Sequence, residues 1–174
     1  MEIRIAGIEK ESITDGTGIR YTIFTQGCLH NCLGCHNKDT HDFNAGRSIT
    51  IEEILTDLRE NPLLDGITLS GGDPFFQCSA CIKLIKAVKK EFEHFNIWAY
   101  TGFKYEEILK VKEMTKMLHL IDVLVDGRFE LNNRTLESKF IGSTNQRLID
   151  VQKSLENNKV IEKKLWNNKH IGGI

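Results

Sequence analysis

Cys28-Leu29-His30-Asn31-Cys32-Leu33-Gly34-Cys35-His36-Asn37 places three cysteines within eight residues. Three thiolates can hold a metal centre and still leave it one ligand short. A reactive centre needs that open position, whereas a structural one fills it. The stretch follows directly on Tyr21-Thr22-Ile23-Phe24-Thr25, a β-branched and aromatic run that reads as a strand ended by Gly27. The cysteines therefore sit at the C-terminal end of a strand, where barrel and open α/β folds carry their working loops.

Downstream the pattern repeats. Thr50 and Glu53 form a capping box ahead of an apolar stripe of Ile51, Ile54, Leu55 and Leu58, a helix that stops near Asn61-Pro62. Residues 66–70 read as a strand closed by Gly71-Gly72-Asp73-Pro74. A helix over 77–94, a strand over 96–100 ending at Thr101-Gly102, helices over 104–109 and 113–118, and a strand over 121–125 ending at Asp126-Gly127 follow. Strands alternating with helices predict a parallel sheet with right-handed crossovers. The expected fold is α/β, a partial (β/α) barrel or open sheet of about four core strands. An early strand over 3–8 and a late one at Phe140-Ile141 would add to it. Gly27, Gly71-Gly72, Gly102 and Gly127 would then line one edge.

The 174 residues carry a net charge of −1 with 40% hydrophobic content, which fits one domain over 1–174 with a buried core and a polar tail from about 151. That balance argues against nucleic-acid binding by bulk charge. Met1-Glu2-Ile3-Arg4 is not a signal peptide, and no apolar run approaches the roughly 18 residues of a membrane span. A cytoplasmic location is the simplest expectation. Five cysteines, clustered and odd in number, do not read as a disulfide framework.

The C-x3-C-x2-C spacing leaves two metal centres open. Zinc could take the three cysteines with His30, His36 or His41 as the fourth ligand, giving a structural binding module without catalysis. A 4Fe-4S cluster on Cys28, Cys32 and Cys35 would keep one iron free, and the placement on a strand-end loop favours it. A second pair, Cys78 and Cys81, shares a helix stripe with Ile82, Ile85 and Val88 and is expected to be buried packing.

These residues carry a resemblance. Cys28, Cys32 and Cys35 match the cysteine motif of the radical S-adenosylmethionine superfamily. Asp15-Gly16-Thr17-Gly18-Ile19-Arg20, Phe24-Thr25-Gln26-Gly27-Cys28 and Cys35-His36-Asn37 resemble the activating enzymes of glycyl-radical enzymes. Gly71-Gly72-Asp73-Pro74 is similar to the superfamily's glycine-rich segment. Residues 122–129 and 142–147 are similar to the family that activates anaerobic ribonucleoside-triphosphate reductases.

The resemblance implies a 4Fe-4S cluster whose open iron chelates S-adenosylmethionine, and reductive cleavage to methionine and a 5′-deoxyadenosyl radical. That radical removes hydrogen from a glycine of the partner. It implies that Gly71 and Gly72 meet the methionine end through N–H or C=O groups, with Asp73 at an ammonium or capping the next helix. Arg128 would meet the methionine carboxylate, Gly34, Cys35 and His36 would lie against the adenosine, and Thr101 would line the same site. The implied partners are a glycyl-radical ribonucleoside-triphosphate reductase and an electron donor such as flavodoxin or ferredoxin, with a homodimer possible. Another glycyl-radical enzyme, or a small molecule such as a deazapurine, is the alternative substrate. The lysine-rich end, from Lys153 to Lys169, reads as a solvated face with Trp166 as its apolar anchor.

Protein purified without oxygen is expected to be brown and to contain iron. A colourless protein with one equivalent of zinc would contradict the cluster reading.

Overall fold

The computed structural model describes residues 2–164. Seven strands form one mixed sheet. They are β1 (Glu2–Ser12), β2 (Arg20–Thr25), β3 (Arg47–Thr50), β4 (Gly66–Gly71), β5 (Asn96–Tyr100), β6 (Val123–Asp126) and β7 (Arg147–Asp150), in spatial order β3-β1-β2-β4-β5-β6-β7. β2, β4, β5 and β6 run parallel, whereas β1, β3 and β7 pair antiparallel. The helices are α1 (Ile51–Glu60), α2 (Cys78–Glu91), α3 (Tyr105–Ile108), α4 (Lys112–Leu118) and α5 (Val151–Glu156).

Period-2 alternation gives the sheet two different faces. Ile23, Ile67, Leu69, Ile97, Ala99, Leu124 and Ile149 pack with Ile54 and Leu58 of α1, Leu84, Ile85 and Val88 of α2 and Met117 and Leu118 of α4 in one buried core. The other face carries Arg20, Thr22, Thr68, Trp98, Val125 and Leu148, all buried. Loops rather than helices cover it. Phe140 lies edge-on to Trp98 with ring centroids 5.2 Å apart, and the Asp15 carbonyl accepts the Thr68 hydroxyl at 2.9 Å.

Arg20 ties this second face together. Its Nε donates to Thr68 Oγ1 at 3.1 Å, Nη1 to Asn96 Oδ1 at 2.7 Å, and Nη2 to the carbonyls of Ile67 at 2.6 Å and Asn96 at 2.9 Å. Burial pulls the guanidinium down to about 10, with Asp65 partly offsetting it, so it stays charged at neutral pH.

Several sequence expectations hold closely. Thr50 and Glu53 form the capping box of α1, and the helix ends at Glu60 before Asn61-Pro62. Others need correction. Phe140-Ile141 is no strand: Phe140 sits in a turn at φ 67° and packs on Trp98, and the late strand is β7. β3 carries no clear alternation and was not expected; it pairs with β1 as an edge. The parallel sheet of the sequence reading is a mixed one, with only four strands parallel.

The described part of the polar C-terminal segment is docked. Val151 and Ser154 of α5 are buried, and Lys163 donates its amide to the Leu148 carbonyl at 2.7 Å. Trp166 and Lys169 lie outside the described residues. Arg20→Met is expected to cost about 3 kcal/mol, because several buried acceptors lose their donor. Urea unfolding checks it, and a loss below about 1 kcal/mol would show that those acceptors find other partners.

Candidate functional site

The parallel register aligns the strand ends. Thr25 stands beside Gly71, Leu69 beside Ala99 and Tyr100 beside Val125. Backbone bonds then continue past the strands. Gly72 N–H donates to Thr25 O at 2.7 Å, Asp73 N–H to Gly27 O at 3.0 Å, Thr101 N–H to Val125 O at 2.9 Å and Gly127 N–H to Phe103 O at 3.0 Å. The loops after β2, β4, β5 and β6 thus form one stitched edge. Gly72 is needed there, since a Cβ would stand 2.4 Å from the Gly27 carbonyl oxygen.

A cleft of about 300 Å³ opens on this edge. Cys28, Cys32 and Cys35 line it together with Gly71, Gly72, Thr101, Gly102 and Gly127. The cysteine loop is held at both ends. Gly27 N–H donates to Thr40 O at 2.7 Å and Cys28 N–H to His41 O at 3.1 Å, while Gln26 Nε2 reaches the carbonyls of Asp39 and Asp42. A tight turn brings Cys35 N–H to 3.2 Å from Cys32 O.

All three thiols are half-buried. Burial pushes Cys28 up to about 11 and also raises Cys32, against hydrogen bonds from the His30 and Phe129 amides. A metal that binds them must therefore displace protons. Among the described residues no group of three His, Cys, Asp or Glu side chains stands in metal-holding geometry, so the thiols share a cleft without being closed on one point. The donor set fits an iron–sulfur cluster: three cysteines from one loop, facing a cleft whose other lining includes the glycine loops at 71–72, 102 and 127.

The remaining site candidates separate. Gly71, Gly72, Thr101, Cys35 and His36 line the cleft, and His36 lies 5.0 Å from the Phe129 ring, centroid to centroid. The Gly72 amide is spent on the Thr25 carbonyl, which leaves it no free donor for a ligand. Gly34 is exposed and outside the lining, next to Leu131, at φ 73°. Arg128 is exposed and stands outside the lining, near enough for its charge to lower Cys32. Asp73 is fully buried, and its carboxylate is occupied by protein donors: Phe75 N–H at 2.9 Å, His30 Nε2 at 2.7 Å, Thr101 Oγ1 at 2.8 Å and Gly102 N–H at 3.0 Å. It caps, as one sequence reading had it, and binds two further loops besides.

Cys78 and Cys81 are buried at 8% and 0% exposure on α2, as their stripe implied. Burial pushes Cys78 up to about 11 and raises Cys81 as well, which removes any reactive-thiol character. Sequence reading missed Phe24, Ser70 and Tyr100, which line the cleft floor. The signal was available: each lies at the end of its strand, on the face opposite the helix-packed core.

The family profile of a 4Fe-4S single cluster domain matches residues 14–149. The anaerobic ribonucleoside-triphosphate reductase-activating protein of Enterobacteria phage T4 is 36% identical over 139 residues, covering 77% of this chain and 85% of its own length. The protein of that name from Escherichia coli K12 is 37% identical over 140 residues, covering 77% and 90%.

The chain belongs to this family.

The relative of the same name from Haemophilus influenzae is 35% identical over 77% of this chain and 89% of its own. Among solved structures, QueE from Escherichia coli overlaps 59% of this chain and 53% of its own at 18% identity and a TM-score of 0.42. That overlap is too partial to bear on function.

Single replacement of Cys28, Cys32 or Cys35 by Ala is expected to abolish iron retention, whereas Cys78→Ala and Cys81→Ala keep it. Iron and sulfide assays on anaerobically reconstituted protein check this. Loss of iron from either α2 variant would contradict the assignment.

Proposed function

We propose that this chain activates an anaerobic ribonucleoside-triphosphate reductase by generating its glycyl radical, with Cys28, Cys32 and Cys35 holding the 4Fe-4S cluster. One observation carries the reading: in a member of this family, three thiols open onto the same cleft as the stitched ends of three further strands. The bound cluster and S-adenosylmethionine supply one-electron reductive cleavage, the step that the protein itself has no group to perform.

The chain's own residues bind, orient and exclude water. Gly71 and Gly72 would let the methionine end approach the backbone closely and meet its polar groups. Thr101, Gly102 and Gly127 would wall the opposite side. Phe129 and His36, whose rings are tilted against each other in the cleft lining, would face the adenosine. Arg128 serves the methionine carboxylate only if its exposed side chain swings inward. Asp73 acts behind this wall as a positioning residue.

Leu29 and Leu33 on the cysteine loop are 71% and 79% exposed. Apolar side chains left in water on the cysteine loop suit a macromolecular substrate. The proposal includes a one-electron donor of the flavodoxin or ferredoxin kind, a cytoplasmic location and a homodimer as the assembly. Among the described residues no helix is long and apolar enough to cross a membrane. It also takes 1–174 as one domain whose sheet curves as a partial (β/α) barrel. Two features support that reading: one core cluster draws on β1 through α5, and four parallel strands lie side by side.

Reduced protein mixed anaerobically with S-adenosylmethionine and the reductase is expected to yield a glycyl radical detected by EPR. Formation of 5′-deoxyadenosine without a radical on that partner would keep the chemistry and discard the partner.

A further inference from the structure

We propose that the His30–Asp73 hydrogen bond is a strut that sets where the cysteine loop stands relative to the Gly71-Gly72 and Thr101-Gly102 loops, making His30 and Asp73 positioning residues for S-adenosylmethionine binding. The inference rests on the cluster reading given above.

His30 lies between two cluster cysteines, yet its ring turns away from solvent. Its Nε2 is 2.7 Å from Asp73 Oδ2, and the two side chains are 6% and 0% exposed. The carboxylate is an acceptor, so Nε2 carries the hydrogen. Phe103 meets the imidazole edge-on at 4.5 Å between centroids, and Phe76 flanks it at 5.5 Å. Gly102 leaves the ring its room, since a Cβ there would stand 2.4 Å from His30 Cδ2. The ring therefore has one seat, defined by two aromatic side chains, a backbone and one hydrogen bond.

The same carboxylate oxygen accepts Thr101 Oγ1 and Gly102 N–H, and Oδ1 caps the turn after Gly71-Gly72. Three of the four loops at the cleft are thereby referred to one group. A buried carboxylate is tolerable only when fully hydrogen-bonded, so its donors are held in fixed relation to one another. His30 in turn stands two residues from both Cys28 and Cys32 on the same loop. A shift of the ring is a shift of the loop that presents both sulfurs.

Two variants separate positioning from mere packing. His30→Gln puts an amide N–H where Nε2 stood. His30→Phe keeps an aromatic ring in the seat and removes the donor. Both are expected to load iron as the wild type does.

The Phe variant should bind S-adenosylmethionine about tenfold more weakly in anaerobic titrations, a loss of about 1.4 kcal/mol. It should also lose much of the change that S-adenosylmethionine makes in the EPR spectrum of the reduced cluster. The Gln variant should stay within about threefold of wild type. Asp73→Asn, which turns one acceptor into a donor facing donors, should weaken binding in the same direction.

Phe and Gln variants that behave alike, whether both sound or both impaired, would overturn the proposal, as would loss of iron from either. Wild-type protein that holds no cluster would instead sink the reading of the site.

Discussion

One carboxylate, wholly withdrawn from water, fixes the working edge of this protein. Asp73 accepts four hydrogen bonds, from its own turn, from the loop after β5 and from the cysteine loop. A carboxyl group in that setting cannot turn to solvent for partners, and losing any donor leaves it short. The cost of breaking the arrangement is what keeps three separate loops in register. The residue looks like a helix cap in sequence, and it is one, but the cap uses only one of its two oxygens.

Beneath this carboxylate the parallel run β2-β4-β5-β6 does the coarse alignment. Parallel register brings Thr25, Gly71, Thr101 and Asp126 to neighbouring positions at one edge, and backbone bonds carry the pairing a residue or two beyond. The helices occupy one face only. The other keeps polar groups, Arg20, Thr22, Thr68 and Ser70, beside apolar Trp98, Val125 and Leu148, under loops 13–19 and 127–146. A sheet with one dry face and one of mixed character can bury a core and still offer a cleft that a charged cofactor can enter. The antiparallel strands β1, β3 and β7 extend the sheet at its sides without changing which edge is used.

Much of this was legible in the sequence because the signals were local. The capping box at Thr50 and Glu53, the glycines closing successive strands and the three-cysteine spacing each depend on a few adjacent residues. Cys78 and Cys81 could be assigned to the core because helical spacing alone put them on an apolar stripe. What stayed hidden depends on long-range pairing. β7 could not be told from Phe140-Ile141, since a short edge strand is decided by its partner β6. His30 read as a spare metal ligand, because its actual partner is 43 residues away. Asp73 and Arg128 look alike as charged residues near glycines; only the fold puts the first behind the wall and leaves the second exposed.

The account stands on a cluster held by three cysteines with one iron left to the substrate. Mössbauer spectra of protein reconstituted with ⁵⁷Fe test this most directly. The account predicts four irons per cluster, one of which changes its spectrum when S-adenosylmethionine is added while three do not. A cluster whose irons all ignore S-adenosylmethionine, or a site that takes zinc in preference to iron, would contradict it.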